Sequence, residues 1–324
     1  GAKDANQWLM DGAESADFLD AIHRAQVLDP DELVPASEFI GKVEALFYPS
    51  ASESRDPLLM IGKDTFSWFA FRPGEFSVWT GINGHGKSLM QGYVMLGLMQ
   101  QRERLCVFSG EMEPARLLKR FVKQATGTDK PKSQYIHAVG AWLADRMWIF
   151  DLQGTATIDR LLEVFKYGAK RYGIGQFVID SLMMTDVPED GPGSLSAQKA
   201  AVQKIAAFAK RHHVHVHLIA HPRKAIDESR PPGKLDVSGS SRITDSADNV
   251  FSIWSARKEE TDIDDGRHDA LLELLKQRNG DVQHHKVWLY FNRRCQQYRI
   301  SRDRGPTTLV EFDGEFEQEG EVIK

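Results

Sequence analysis

The sequence of 324 residues contains few cysteines and no long apolar run. Its two cysteines, Cys106 and Cys295, lie in apolar, strand-like sequence, which is typical of a reducing compartment and argues against a disulfide framework. No stretch of about 18 apolar residues occurs, so the sequence predicts no membrane-spanning helix. The chain begins with Gly1 rather than Met and has no signal peptide, so we expect a cytoplasmic protein cut from a longer chain.

Internal repeats and low-complexity tracts are also absent, and the charge is unevenly distributed. The net charge of −5 at pH 7 argues at first against a nucleic-acid partner. However, residues 1–60 carry 12 acidic and 4 basic side chains, so the rest of the chain has a net charge of +3. Because contacts to nucleic acid can be confined to a few loops, the total charge does not exclude such a partner.

A complete phosphate-binding loop occupies residues 81–88, which read Gly-Ile-Asn-Gly-His-Gly-Lys-Ser. An apolar run precedes this G-x-x-x-x-G-K-S pattern and a helix-like stretch follows it, as the motif requires. Backbone N–H groups and the start of that helix favour phosphate oxygens, so we expect ATP or another nucleoside triphosphate (NTP) to bind here. Lys87 would reach the β- and γ-phosphates, and Ser88 would hold Mg²⁺. The predicted nucleotide-binding residues of this loop are Gly81, Asn83, Gly84, His85, Gly86, Lys87, Ser88 and Leu89.

Apolar runs alternate with helix-like stretches from about Met60 onward. This alternation predicts an α/β fold, with a mainly parallel sheet and helices on both faces. Later strands follow one another at short intervals, which indicates an antiparallel edge. The predicted strands are 76–81, 105–110, 147–151, 177–180, 214–221, 249–254, 270–278, 286–292 and 297–301, and the predicted helices are 87–101, 114–126, 136–144, 157–171 and 196–212.

We expect three parts in the chain. Residues 1–59 form an acidic, helical arm, with a short helix at 38–47 and a linker rich in Ser and Pro at 49–57. Residues 60–310 form the α/β core. Residues 311–324 form an acidic tail.

Two carboxylates are candidates for the chemistry. Asp180 ends an apolar strand and would bind Mg²⁺ together with Ser88. The next residue is Ser181 rather than Glu, so a general base must come from elsewhere. Glu111 follows the predicted strand that begins at Leu105 and should emerge at the same carboxyl edge of the sheet, where it could activate water. Alternatively, Glu111 and Glu113 are acids favoured by a helix dipole, and the residues alone leave both interpretations open.

His221 and a Lys-x-Arg turn are the remaining candidates. His221 would also lie at the carboxyl edge, in a position to sense phosphate. A metal site in the His-rich tract before it is disfavoured, because His215 and His217 alternate with Val and have no Cys or acidic ligands nearby. Lys276 and Arg278 end a strand at a turn, which is usually solvated surface. If the chain assembles into a ring, Arg278 could instead reach a neighbour's γ-phosphate as an arginine finger.

In this order, the motifs resemble those of hexameric replicative helicases of the DnaB type, and more closely the helicase half of phage and mitochondrial primase-helicases. The resemblance spans about residues 75 to 300. The N-terminal Lys3-Asp4-Ala5-Asn6 is similar to the end of a Toprim primase domain. The matching segments are 81–88, Ser109–Met112, Val178–Ser181, Leu218–His221, Ser238–Ser240, Ala247–Val250 and Lys276–Gly280.

The resemblance implies a RecA-like core that forms a ring, most simply a hexamer, and moves 5′→3′ along single-stranded DNA. It implies that Glu111 is the catalytic base and His221 the γ-phosphate sensor. Lys276 and Arg278 would be inserted into the neighbouring subunit's site. The nucleotide base would lie between Arg257 and Phe291. The implied setting is a bacterial or phage-infected cell, with a primase domain upstream in the full-length chain.

Two loops, 182–196 and 222–240, correspond to the DNA-binding loops of the family, and positive charge in the second suits phosphate contacts. Asp245 stands where the family often has Gln, so coupling of nucleotide state to DNA is expected to differ. A helix within residues 36–48 is expected to pack on the adjacent subunit. The predicted DNA-binding residues are Arg223, Lys224, Lys234, Ser238, Gly239 and Ser240.

Three alternatives are weighed against this interpretation. A RecA-type recombination ATPase would hydrolyse ATP on DNA and form filaments without unwinding. A small-molecule kinase would need a lid and an acceptor pocket in place of the Lys-x-Arg turn and the two long loops. A scaffold without activity is the least favoured, because Lys87, Ser88, Asp180 and Glu111 form a full hydrolytic set.

Overall fold

The computed structural model contains two compact units, residues 1–55 and 56–324. The described residues are 3–24, 34–48, 56–152, 156–188, 191–220, 241–255 and 268–312.

The first unit consists of short, exposed helices. The Asp4 side chain accepts a hydrogen bond from the Gln7 amide at 2.8 Å and so caps the first helix. The predicted helix at 38–47 is present, although its first turn is a 3₁₀ turn. The elements are α1 (Ala5–Met10), α2 (Ser15–Arg24), the 3₁₀ turn Ala36–Phe39 and α3 (Ile40–Phe47).

The second unit contains a large sheet. Among the described residues, nine strands form this sheet and two more form a separate antiparallel hairpin. The hairpin is β1 (Leu58–Ile61) and β2 (Asp64–Ala70). The strands of the large sheet are β3 (Phe76–Gly81), β4 (Leu105–Ser109), β5 (Met147–Ile149), β6 (Gln176–Asp180), β7 (His215–Ile219), β8 (Asn249–Ser255), β9 (Ala270–Gln277), β10 (His285–Asn292) and β11 (Gln297–Arg299).

The order of strands in the large sheet is β11-β10-β9-β8-β3-β7-β6-β4-β5. Neighbouring strands are parallel along the series β8-β3-β7-β6-β4-β5. The strands β9, β10 and β11 extend the sheet beyond β8, each antiparallel to its neighbour. The predicted α/β fold with a parallel sheet and an antiparallel edge is therefore confirmed. The helices of this unit are α4 (Lys87–Gln100), α5 (Pro114–Thr126), α6 (Ser133–Leu143), α7 (Ile158–Tyr172), α8 (Ser194–His212) and α9 (Ser241–Ser246).

Helices cover both faces of the sheet. Successive strand residues point to opposite faces and so pack against different helices. Trp79 belongs to the core cluster that includes α4, α5 and α6, whereas Val78 belongs to the cluster that includes α7 and α8. Predicted and observed elements differ mainly at their ends. The predicted loop 182–196 is shorter than expected, since a 3₁₀ turn covers Leu182–Met184 and α8 already begins at Ser194.

Candidate functional site

The phosphate-binding loop joins β3 to α4, as predicted. Gly81 has φ of 145°, and a Cβ atom there would lie 2.1 Å from the Ile253 carbonyl oxygen of β8. Gly86 has φ of 84°, and a Cβ atom there would lie 2.6 Å from the Tyr298 hydroxyl. Both positions therefore favour glycine for two reasons: the backbone has a positive φ, and a neighbouring atom lies where a Cβ atom would be.

Lys87 is held inside this loop. Its ammonium donates to the carbonyl oxygens of Gly81 at 3.0 Å and Ile82 at 3.3 Å, and to Oδ1 of Asn83 at 3.1 Å. Burial lowers the pKa of Lys87 to about 8, while the charges of Glu111 and Asp180 act in the opposite direction. A bound polyphosphate would favour the charged ammonium further.

Asp180 and Ser88 fit a magnesium ion. Asp180 ends β6 with 7% of its surface exposed, and the Ser88 side chain hydrogen-bonds to its carboxylate. Its Oδ1 atom is buried and has no hydrogen-bond partner in the described part of the chain. A buried carboxylate oxygen beside a hydroxyl suits Mg²⁺, which binds through one or two protein groups and the nucleotide phosphates. Ser88 and Asp180 would hold the ion, which would polarise the phosphate oxygens.

The same burial destabilises the ionised form of Asp180 when no cation is bound. Burial raises the pKa of Asp180 to about 6, and the Ser88 bond and the charges of Arg120 and Lys87 only partly oppose this. Because the folded pKa exceeds the unfolded value, ionisation of Asp180 costs stability above pH 6, and the cost disappears as the pH falls towards 4. A difference of two pKa units corresponds to about 3 kcal/mol.

We therefore predict that Asp180→Asn stabilises the metal-free and nucleotide-free protein at pH 8 by up to about 3 kcal/mol. The advantage should shrink as the pH falls from 6 to 4, because wild-type Asp180 then becomes neutral. Urea unfolding of both proteins at pH 8 and pH 4.5 measures it. Asp145→Asn, at a carboxylate that is 70% exposed, is the control and should show no such pH dependence. An advantage that grows on acidification would contradict the prediction.

Glu111 lies beside Asp180. The pairing of β4 with β6 sets Ser109 opposite Asp180, and the Gly110 amide donates to the Asp180 carbonyl at 2.9 Å. The Ser181 hydroxyl then donates to Oε1 of Glu111 at 3.0 Å. The side chain of Glu111 is exposed at the groove between the ends of β4 and β5. The loop, Asp180 and Glu111 thus meet at one carboxyl edge of the sheet, which is where open α/β sheets bind ligands.

Two histidines of the His-rich tract are structural in their contacts. His215 and His217 are fully buried in β7. His215 contacts the Ser77 hydroxyl at 2.8 Å, and His217 accepts a hydrogen bond from Trp79 Nε1 at 3.2 Å. Burial lowers the pKa of His215 to about 4, so the ring is neutral near pH 7. No cluster of three or more His, Cys, Asp or Glu residues suited to a metal ion occurs among the described residues.

Lys276 and Arg278 lie near the amino ends of the parallel strands, at the opposite end of the sheet from the phosphate-binding loop. The Lys276 ammonium donates to the carbonyl oxygens of Thr244 at 3.1 Å, Asp245 at 2.9 Å and Ala247 at 2.7 Å, at the end of α9. These bonds cap that helix within the same chain, where a cation is favoured by the dipole. The predicted entry of Lys276 into a neighbour's site would require their release.

Arg278 is bonded to Asp248 and remains 44% exposed in its side chain. In register, Gln277 pairs with Asn249 and Asn249 pairs with Ser77, near the start of β3. The phosphate-binding loop begins at the other end of β3, with Gly81. Four strand residues span about 13 Å, so Arg278 cannot reach the phosphates of its own loop.

Phe291 packs against Tyr298, with ring centroids 4.8 Å apart. Since the Tyr298 hydroxyl abuts Gly86, Phe291 lies on the side of the sheet that carries the loop. Sequence reasoning missed Tyr298 and Arg120, which interact electrostatically with each other, and Arg120 also with Asp180. The spacing of Arg120 in α5 gives no signal, because nothing in the sequence marks which face of that helix meets β6.

Several predicted residues lie outside the described part of the chain, and their roles stay predictions. They are His221, Arg223, Lys224, Lys234, Ser238, Gly239, Ser240 and Arg257.

Comparison with known proteins adds a family. The model of the DnaB-like helicase C-terminal domain matches residues 68–300. Among curated proteins, the chain is similar to the chloroplastic and mitochondrial Twinkle homolog protein of Arabidopsis thaliana. The two are 25% identical over 276 residues, which make up 79% of this chain and 38% of the relative. The chain thus spans well under half the length of that protein.

Solved structures show the same fold. One is an ATPase domain with a TM-score of 0.67 and 14% identity, and the match covers 82% of this chain and 99% of that domain. Another is a DnaB-like replicative helicase, solved to describe its interactions with primase, with a TM-score of 0.63 and 15% identity. That match covers 87% of this chain and 70% of the helicase chain. The predicted RecA-like fold is therefore confirmed.

Proposed function

The chain belongs to the family of DnaB-like helicases, and we propose that it is the NTP-hydrolysing motor of a ring that moves along single-stranded DNA and unwinds duplex DNA. Hydrolysis would use Glu111 as the base, Lys87 on the phosphates, and Mg²⁺ held by Ser88 and Asp180. The RecA-type recombination ATPase is not favoured, because the matching family model is that of a helicase. The bacterial or phage setting and the upstream Toprim domain rest on sequence resemblance alone.

One observation carries the ring proposal, namely the separation of Arg278 from the phosphate-binding loop of its own chain. Arg278 follows Gln277, which is level with Ser77 near the start of β3, whereas Lys87 follows the far end of that strand. An arginine that stabilises charge on a transferring phosphoryl group must touch it. A complete site therefore needs two subunits, with Arg278 of one completing the loop of the next.

The helix α3 is the proposed contact that closes the ring. In and beside it, apolar side chains are exposed at helical spacing, including Ile40 at 62% and Phe47 at 77%. Burial of such side chains against a neighbour would stabilise assembly by roughly 1.5–3 kcal/mol for each large residue that is fully buried. The amphipathic face is therefore the arm's main contribution to the ring.

The second DNA loop, 222–240, lies between β7 and α9 in the sequence. Its preceding strand β7 lies next to the loop strand β3 and the Asp180 strand β6. The helix that follows it, α9, is held at its end by Lys276 of β9, the strand that leads to Arg278. This continuity supports a mechanical link from nucleotide to DNA. Arg223, Lys224 and Lys234 would contact the DNA phosphates, and Ser238, Gly239 and Ser240 would complete the contact.

The proposal is tested by measuring ATP hydrolysis with and without single-stranded DNA over a range of protein concentrations. We expect strong stimulation by DNA and a rate that rises cooperatively with protein concentration. A chain lacking residues 1–50 should lose the cooperative rise and the ring mass in light scattering. A rate that is linear in protein and independent of DNA would contradict the proposal and indicate a self-contained enzyme. Displacement of a labelled strand separates unwinding from DNA-dependent hydrolysis alone.

A further inference from the structure

The turn that carries Arg278 is held by a buried carboxylate on the neighbouring strand end. Nη1 of Arg278 donates to Oδ1 of Asp248 at 2.7 Å, and the Arg278 amide donates to the Asp248 carbonyl at 2.9 Å. The Asp248 side chain is 4% exposed, whereas that of Arg278 is 44% exposed. The carboxylate is therefore fixed inside the protein while the guanidinium extends to the surface.

Asp248 is itself anchored to β3, the strand that leads to the phosphate-binding loop. Its Oδ2 atom accepts from the Phe76 amide at 3.0 Å. Its own amide donates to the Phe76 carbonyl at 2.9 Å. Main chain and side chain thus fix this residue from two directions, and its Oδ1 atom has a defined position.

A second carboxylate, Glu75, holds the next residue of the turn. Its Oε1 atom accepts from Asn279 Nδ2 at 2.9 Å, and its Oε2 atom accepts from Asn249 Nδ2 at 2.8 Å. Glu75 is 3% exposed. The turn is therefore tied to the start of β3 by two adjacent buried acids, although neither acid belongs to the site at the other edge of the sheet.

We propose that Asp248 is the positioning residue that aligns Arg278 for insertion into the neighbouring subunit's site. A free arginine would lose much rotamer entropy on insertion, and the fixed carboxylate removes part of that loss beforehand. Arg278 donates to Asp248 through Nη1, and its guanidinium has further N–H donors for a phosphate. The inference rests on the proposed shared site.

Asp248→Asn in the full chain tests the proposal, because an amide oxygen can still accept from Phe76 while the amide NH₂ cannot accept from Arg278. A displacement of about 1 Å at a catalytic group can cost about 100-fold in rate, so we expect kcat to fall by about that factor. The KM for NTP should change little, since the loss concerns the transition state. Asp145→Asn, at the exposed partner of Arg146, is the matched control and should behave as wild type.

Mixed rings separate positioning in trans from damage within the mutated subunit. Lys87→Ala subunits cannot hydrolyse NTP but carry an intact Arg278 and Asp248. If Asp248 acts through Arg278, mixing Asp248→Asn with Lys87→Ala subunits should restore hydrolysis well above the sum of the two separate preparations. A mixture of Arg278→Ala with Lys87→Ala subunits gives the reference for this recovery.

Each outcome decides the proposal. Recovery in both mixtures supports it. Recovery with Arg278→Ala but not with Asp248→Asn overturns it while leaving the shared site intact, since Asp248 would then act inside its own subunit. No recovery in either mixture overturns the shared site and the inference with it. A rate for Asp248→Asn at or above that of wild type also overturns it, because Asp248 would then be dispensable or hold Arg278 away from its target.

Asn279→Ala provides a second variant that leaves both buried acids in place. Glu75 keeps its bond from Asn249, so folding should be preserved. Loss of one hydrogen bond to a charged group should lower kcat by about tenfold, with recovery in the same mixing assay. Unchanged kcat in Asn279→Ala, together with failure of Asp248→Asn to bind NTP, would overturn the proposal and leave the two acids a purely structural role.

Discussion

Arg278→Ala is expected to lower the rate of NTP hydrolysis by about 1,000-fold or more, because a finger of this kind contributes roughly 10³ to 10⁵ in rate. Nucleotide binding should persist, since the loop and Asp180 lie at the other edge of the sheet from Arg278. Hydrolysis by the assembled variant and its affinity for a fluorescent NTP analogue measure the two effects. Arg160→Ala is the matched control, since Arg160 is 58% exposed and also pairs with a carboxylate.

The decisive form of this experiment uses mixtures. Arg278→Ala and Lys87→Ala subunits each lack one half of the proposed shared site, and every interface that joins an intact loop to an intact finger should be active. Hydrolysis that appears on mixing, with a maximum at intermediate ratios, is the expected result. Activity of Arg278→Ala near the wild-type level would show that the residue is ordinary solvated surface.

The sequence was sufficient for most of the sheet and for one side of the site. Short, largely apolar strands such as β3 and β6 stand out because they are buried on both faces. Parallel strands end at one edge, so the sequence alone predicts that the loop, Asp180 and Glu111 come together. What that argument needs is only strand direction, which short βα connections fix.

The register of the antiparallel edge could not be read in the same way. Pairing of Asn249 with both Ser77 and Gln277 is what places Arg278 far from its own loop. A shift of one residue would send Arg278 to the other face, and apolar strands without alternation carry little information about register. The contacts of Asp248 with Arg278 and of Glu75 with Asn279 depend on this register. The sequence therefore does not predict them.

The hairpin of β1 and β2 was missed for a different reason. The sequence analysis predicts no strand before 76–81, although Gly62 and Lys63 form a two-residue turn that pairs Ile61 with Asp64. Gly62 has φ of 67°, as such turns require at their first position. A glycine between two apolar runs was therefore the available signal. The hairpin packs on α4 and supports the helix that carries Lys87, without contributing a residue to the chemistry.

Glu111→Gln is expected to lower the rate of hydrolysis by about 100- to 10,000-fold, the range for loss of a general base. The amide keeps the size of the side chain and can still accept from the Ser181 hydroxyl, which donates at 3.0 Å in the wild type. The loop contacts of Lys87 are untouched, so NTP binding should be retained. Single-turnover hydrolysis and equilibrium binding of a labelled NTP measure the two effects separately.

Glu113→Gln is the control that distinguishes a base from an acid favoured by the start of α5. Glu113 precedes Pro114, pairs with Arg116 at 3.7 Å and is 68% exposed. If both acids served only the helix dipole, both variants would show the same small loss of stability and normal hydrolysis. If Glu111 is the base, only Glu111→Gln becomes inactive. Loss of NTP binding in Glu111→Gln would instead assign the acid a structural role, because a base acts on water after the nucleotide has bound.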